Sequence, residues 1–393
     1  MNKRRAVKVI YVSTYIPQKC GIATFTKDVT SAINLINPKA LAEIMAVVKE
    51  DEKPDFPWEV KYQIEKDNKK SYVRAAKYIN KSSCDLVLVE HEFGIFGGEC
   101  GNYLLDFLKV VKKPKVMTCH TLIEDKNSCW GKTFSELIKE VDGLTVMTKY
   151  SARKLSKLYD FNPKKIAIIS HGTPDMEYGS NLKYKKRKKL SNRLILGNIN
   201  LLSENKGIDY TVEAVAEIAK VYPDVLYFII GQTHPNVLKK EGEKYRKKLK
   251  RKIKKLGIQK NVKFVNRYVS LEELIEWLKI IDIYITPYLD KQQSSSGALA
   301  YAVGAGKICI STGYFYAKEI LANGRGIIVP FRNSKAIADE VIKIWKNENK
   351  RKKMQEKAYT YGRFMTWPSV ALQHLDFFTE IIKKHGSKKS KTD

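Results

Sequence analysis

VKVIYVSTYIPQKCGIATFTKDV, residues 7–29, holds a strand, a turn and a helix in that order, and this order decides the fold class. The run "VKVIYVS" is apolar over a strand's length and has no helical period. After the turn, Ile22, Phe25, Val29 and Ile33 recur at near-helical spacing. Between the two stand Pro17 and Gly21. A glycine at a strand-to-helix turn lets backbone N–H groups face an anionic ligand, although the turn itself also favours glycine there. The dinucleotide fingerprint needs three glycines at set spacing and this stretch has one, so it is not the usual NAD loop.

The same alternation runs through the chain. Strands are predicted at "VKVIYVS", "AEIMAVV", "DLVLVEH", "KVMTCH", "GLTVMT" and "KIAIIS", and then at "RLILGNI", "VLYFIIG", "VKFVN", "DIYITP", "KICIS" and "GIIVP". Helical patterns such as 207–221, 271–280 and 334–346 fall between them. Parallel strands need crossovers, usually helices, so the pattern specifies two α/β, Rossmann-like, doubly wound parallel sheets in succession. At 393 residues the chain also exceeds the size of one core. The expected division is a first domain over 1–180, a basic linker over 181–191 and a second domain over 192–365. A strandless amphipathic helix over 366–385 and a basic tail over 386–393 follow. The apolar residues Val370, Leu372, Phe377, Ile381 and Ile382 of that helix must cover something.

A hydrophobic fraction of 44% is ordinary for a soluble chain, and no apolar run approaches the roughly 20 residues that span a bilayer. The basic start "MNKRRAVKVIYVS" has only a strand's length of apolar residues and no small-residue cleavage site, so an intracellular protein is expected. Six cysteines are scattered without a C-x-x-C pair, which argues against a zinc ribbon or a disulfide scaffold and fits a reducing cytoplasm. Net charge is +30; the lysines are spread along the whole chain, with local concentrations at 183–189, 244–255 and the C-terminus. It has two open readings, a lysine-rich composition or peripheral contact with an anionic membrane at its inner face. With no RNA-binding aromatic signature and no helix-turn-helix, nucleic acid is not an expected partner. The stretch 244–255 reads as a helix whose stripe of Tyr245, Leu249, Ile253 and Leu256 packs on its own domain.

Open α/β sheets bind ligands at the carboxyl ends of their strands. In the first half those positions hold Gly21, "HEFGIFGG" with His91, Glu92, Gly97 and Gly98, then His120, Thr148, Lys149 and "HGTPD" with His171. In the second half they hold Lys206 and Gly207, "GQTHPN" from Gly231, Arg267, and "PYLDKQQSSSG" with Asp290, Gln292, Ser294, Ser295, Ser296 and Gly297. Rich in glycine, histidine, serine and a few cations and poor in paired carboxylates, these positions suit a phosphate and a polyol and not a metal cage or a hydride transfer. Several positions have a plain structural reading as well: His91 and Glu92 as caps, His171 as a loop hydrogen bond, Asp290 as a solvated partner of Lys291. Lys206 is harder to read so. A cation at a helix N-terminus is unfavourable unless an anion joins it.

"CGIATFT", "HEFGIFGG", "TCHTL", "LLSENKGID", "IIGQTHPNVLKKEGEKYR" and "SSGALAYAVGAGKICIS", in this order and spacing, resemble the retaining glycosyltransferases of family 4, the glycosyl transferases group 1. The resemblance covers nearly the whole chain. It implies a GT-B fold, with two Rossmann-like domains facing across a cleft, the second holding most of a nucleotide sugar and the last helix crossing back to the first. Lys206 falls on the lysine that contacts the donor diphosphate, and His120 on the first-domain histidine near the reacting sugar. Gly21 falls on the turn that approaches the phosphates. Taken with the strand-end positions, the expected donor-binding set is Gly21, Gly207, Gly231, Arg267, Asp290, Gln292 and Ser294 to Gly297. The acceptor side is His91, Glu92, Gly97, Gly98 and His171. Two departures stand out. Leu201 replaces the family's arginine five residues before the lysine, and Gln292 and Ala300 replace its glutamate pair.

The expected activity is transfer of a hexose from a nucleoside diphosphate sugar to an acceptor hydroxyl, on a glycan or a lipid-linked acceptor, with retention and without a metal or other cofactor. With no obvious nucleophile, front-side attack is expected, the leaving phosphate taking the acceptor proton. Two alternatives stay open: a non-catalytic nucleotide-sugar-binding protein, and a sugar-nucleotide epimerase on the same fold.

Overall fold

The computed structural model describes residues 6–52, 54–179 and 182–389, so the start of the expected linker and the last residues of the basic tail lie outside the described residues. The chain forms two compact units, the first comprising 1–172 and 367–393, the second 173–366.

The first unit is built on a seven-stranded parallel sheet of β1 (Val9–Ser13), β2 (Glu43–Val48), β3 (Val60–Glu65), β4 (Leu86–His91), β5 (Lys115–Cys119), β6 (Gly143–Val146) and β7 (Ile166–Ile168), in the order β3-β2-β1-β4-β5-β6-β7. Six of these strands are legible in the sequence; β3 is not. Its residues "VKYQIE" are buried fully only at Ile64, as befits an edge strand with one face in solvent. β1 is buried along its whole length and pairs β2 on one side and β4 on the other. The strand order therefore reverses between β1 and β4, and the loops after these two strands flank the switch point where such sheets take ligands.

The last helix, Trp367–Lys389, belongs to this unit and packs on the helix Gly21–Ile36. Val370, Phe377 and Ile381 are buried, each worth roughly 1.5–3 kcal/mol, whereas Leu372 is exposed, against expectation. Packing is close at Gly143, where a Cβ would lie 2.8 Å from both Phe377 and Ile381. Pro368 sits at the second helical position, where its missing N–H costs nothing.

The second unit has six parallel strands, β8 (Ile195–Ile199), β9 (Leu226–Ile230), β10 (Val262–Val265), β11 (Ile283–Thr286), β12 (Ile308–Thr312) and β13 (Ile327–Val329), ordered β10-β9-β8-β11-β12-β13. All six follow the sequence reading. Here the switch point lies between β8 and β11. The helix Lys244–Lys255 buries Tyr245, Leu249 and Ile253 in this unit's core, as its stripe implies, while Leu256 stays partly exposed. No helix among the described residues is long and apolar enough to cross a membrane.

The cysteines depart from expectation. Cys100 and Cys129 form a disulfide with Cα atoms 6.0 Å apart, and Cys20, Cys84, Cys119 and Cys309 are free. The pair is 29 residues apart in sequence and becomes adjacent only because the 3-10 turn Glu99–Gly101 lies on the helix Cys129–Lys139.

Candidate active site

In the second unit the loops after β8 and β11 converge. Lys206 ends the 3-10 turn Glu204–Lys206, and Gly207, at φ 62°, caps the helix Ile208–Val221. Gly207 has a double requirement, since its φ is left-handed and a Cβ there would collide with the Pro287 carbonyl oxygen. The Leu289 N–H donates to the Asn205 carbonyl at 2.9 Å and latches the two loops together. This brings the Lys206 ammonium over the ring of Tyr288, 4.2 Å from its centroid. Tyr288 is buried, stacks on Tyr314 at 5.2 Å, and sets its hydroxyl against the side chains of Ser296 and Asn200.

Burial pulls the Lys206 ammonium down to about 8, with the Asp290 carboxylate acting in the opposite direction. Among the described residues no carboxylate lies within ion-pair distance of it, and its neighbour Glu204 is taken by Lys248 at 3.0 Å. His234 is held below the ordinary histidine value, first by burial and then by the charge of Lys206. Ser296 caps the helix Gly297–Gly304, its hydroxyl accepting from the Leu299 N–H at 3.3 Å, and Ser294 is buried beside it. A partly buried cation, serine hydroxyls and two helix starts meet at one switch point, a set of groups whose chemistry suits an anion with several oxygens.

The remaining donor-side expectations fare unevenly. Gly231, at φ 126°, turns where a Cβ would strike the Asn200 carbonyl. Gln293 donates to the Ser295 carbonyl at 2.9 Å. Asp290 and Gln292 are exposed, and Asp290 accepts from the Gln292 N–H at 2.9 Å as a turn cap; Lys291 lies over Phe331 instead. Arg267 is exposed and its guanidinium is gripped by Glu273. Ala300, at one missing glutamate position, is fully buried. Tyr288, Asn200 and His234 join the second unit's group without having been singled out in the sequence, because an aromatic platform under a lysine is a contact between distant loops.

In the first unit, Gly21 opens the helix Gly21–Ile36, which Cys20 caps by accepting from the Ala23 N–H at 3.3 Å. Space around Gly21 is open, with nothing within 4 Å of a Cβ there. At the ends of β4 and β5, His120 Nε2 lies 2.8 Å from Glu90 Oε2, with both side chains buried. Phe25 packs edge-on against His120 at 4.8 Å and against His171 at 5.1 Å, and Trp367 closes the group 5.5 Å from Phe25. Gly172 makes room for Trp367, whose ring a Cβ would penetrate. The last helix thus supplies a wall of this cluster. Glu90, Phe25 and Trp367 are additions to the residues read from sequence.

The acceptor-side expectations are mostly satisfied inside the unit. His91 is enclosed by Phe93, Phe96 and Phe134, and burial, aided by His120, takes its imidazole down to about 3. His171 shares a hydrogen bond with the Gly172 carbonyl at 2.8 Å, and burial takes it to about 4. Glu92 accepts from the Thr121 hydroxyl at 2.7 Å and the Phe93 N–H at 2.9 Å, and burial raises it above the ordinary range. A Cβ on Gly97 would meet the Lys66 carbonyl, and Gly98, at φ 81°, faces Asn102 and Tyr103. These glycines have a packing reason that needs no ligand. Among the described residues no group of three His, Cys, Asp or Glu side chains is placed to hold a metal ion.

Residues 181–361, nearly all of the second unit, match the family described as Glycosyl transferases group 1. A D-inositol 3-phosphate glycosyltransferase of Corynebacterium glutamicum is 24% identical over 332 residues, 77% of this chain and 73% of that protein. Among solved structures, a sucrose-phosphate synthase from Thermosynechococcus elongatus superposes with a TM-score of 0.77 at 13% identity, covering 96% of this chain and 100% of that one. A glycosyltransferase from Rickettsia africae gives 0.75 at 17% identity, covering 96% and 100%. Anabaena HepE, in complex with UDP and glucose, gives 0.73 at 13% identity, covering 95% and 100%. The GT-B fold class and the resemblance to group 1 glycosyltransferases drawn from the sequence are both borne out.

Proposed function

We propose that this chain transfers a hexosyl group from a nucleoside diphosphate sugar to an acceptor hydroxyl, with retention of anomeric configuration. The observation that carries the reading is Lys206, a partly buried ammonium over Tyr288 at the switch point, with no ion-pair partner among the described residues. Breaking the sugar–phosphate bond develops negative charge on the diphosphate, and donors fixed in advance at that charge lower the barrier. Lys206 and the helix start behind Ser296 take this part. No carboxylate stands where the family's glutamate pair would be, so front-side attack is the preferred path, the leaving phosphate receiving the acceptor proton. The HepE complexes, which contain UDP or UDP-glucose, support a nucleotide sugar as donor. Relatives named for an inositol phosphate support a polyol hydroxyl as acceptor.

The fully buried Ala300 and exposed Gln292 favour one second reading, a nucleotide-sugar binder without transfer. A panel of nucleoside diphosphate sugars separates the possibilities. One of them, at 100 times its Kd, should stabilise the protein by about 2.7 kcal/mol and raise its melting temperature. That donor should then lose its sugar slowly to water when no acceptor is present. Stabilisation without hydrolysis supports the binder, and a changed sugar with no loss supports an epimerase. No stabilisation by any member of the panel overturns the donor reading.

A further inference from the structure

Glu90 lies on β4 with its side chain wholly buried, in a strand otherwise apolar from Leu86 to Val89. A buried carboxylate is costly unless it is paired and hydrogen-bonded, and removing its partner leaves an uncompensated charge. Among the described residues one hydrogen bond reaches it, between Oε2 and His120 Nε2 at 2.8 Å, and Oε1 has none. The titratable groups packed around it do not take the partner's place. Tyr11 on β1 is raised well above the ordinary tyrosine value by burial and then by Glu90, and Cys119 on β5 is pushed up by burial and then by the same charge. His91 beside it, His171 after β7 and His374 on the last helix are all lowered, in each case chiefly by burial. Glu92 is raised by burial and turned towards Thr121.

The same strand also fixes the backbone of His120, whose N–H donates to the His91 carbonyl at 3.1 Å. β4 and β5 are in register there, with Glu90 opposite Thr118 and His91 opposite Cys119. Phe25 meets the imidazole edge-on, its ring at 86° to it. Backbone, ring plane and one ring nitrogen are thus each held by a separate contact.

We propose that Glu90 is the positioning residue of His120: its carboxylate keeps the imidazole proton on Nε2 and fixes the ring in the orientation used in glycosyl transfer. The inference rests on the reading of His120 as a residue of the reacting site. Its chemistry is that of an aspartate or glutamate behind a working histidine, which sets tautomer and orientation without touching the substrate.

The test uses the full chain labelled with 15N-histidine, with the His120 signal identified by its loss in His120→Asn. In the wild type, His120 carries its proton on Nε2; a proton found on Nδ1 alone overturns the proposal without any further variant. In Glu90→Gln the preference for Nε2 relaxes, and kcat falls at least about tenfold while KM for the nucleotide sugar stays within about twofold. Glu90→Asp, which retains the carboxylate, keeps the Nε2 proton and recovers part of kcat, and it decides the matter should the glutamine variant not fold. An unchanged tautomer together with unchanged kcat in a folded Glu90→Gln overturns the proposal. If the wild type itself transfers no sugar, the functional reading fails, and the tautomer still reports on Glu90.

Discussion

Lys206→Ala lowers kcat for glycosyl transfer by roughly 10²- to 10³-fold, the scale of losing one fixed donor at a developing oxyanion. The size follows from the surroundings of the ammonium. A cation in front of a helix N-terminus is repelled by the helix dipole, and burial also disfavours its charged form, as its lowering to about 8 records. The Tyr288 ring returns part of that cost through its negative face. A diphosphate would supply the rest, and more so in the transition state, when the bond to the sugar opens and charge moves onto the bridging oxygen. The folded state should lose little, because the side chain makes no ion pair among the described residues. Steady-state rates and melting curves of the one variant check both halves, and a rate within a few-fold of wild type removes Lys206 from the reaction.

Gly207→Ala is expected to be as damaging by a different route. The left-handed φ of 62° costs a residue with a Cβ roughly 1–2 kcal/mol, and the new methyl group would also run into the Pro287 carbonyl oxygen. Backbone cannot yield as a side chain can. The expected loss of stability is about 2–4 kcal/mol, a fall in melting temperature of roughly 5–10 °C for a unit of this size. Because the collision lies between the loops that seat Lys206 over Tyr288, nucleotide-sugar binding should weaken along with stability. A variant that melts within about 1 °C of wild type shows that the two loops separate freely, and the latch between Leu289 and Asn205 then has no role in holding the site.

The parts of this molecule that were legible in the sequence are those fixed by local chemistry. Buried parallel strands announce themselves as apolar runs, which is why β9, β11 and β12 are plain in the sequence. β3 hid because Lys61, Gln63 and Glu65 face outward at a sheet edge. Lys206, Gly207 and Ser296 stood out because a lysine and a glycine before one helix and a serine before another mark helix starts at strand ends. Glu90 did not, since its meaning depends on His120, 30 residues away just past the end of the next strand. The same holds for the Cys100–Cys129 bridge and for Trp367, which reaches Phe25 and His171 only after the chain has built a second unit and returned. The glycines at 97 and 98, read from sequence as facing a ligand, also have a reason of their own in the loop's packing, which sequence does not display.

Calorimetry with the panel member that most raises the melting temperature tests Lys206 as the cation of a nucleotide-sugar site. In the free protein the ammonium loses its proton through about pH 8, and the diphosphate needs it charged. Between pH 7 and pH 9 the affinity should therefore fall, by up to about tenfold per unit above pH 8, and binding near pH 8 to 9 should take up a proton from the buffer. Lys206→Met, which keeps the bulk of the side chain and has no charge to lose, should bind more weakly at pH 7 and should show neither this fall nor this proton uptake. Equal affinity of the two proteins at pH 7, with the same pH profile and no proton uptake in either, would contradict the account.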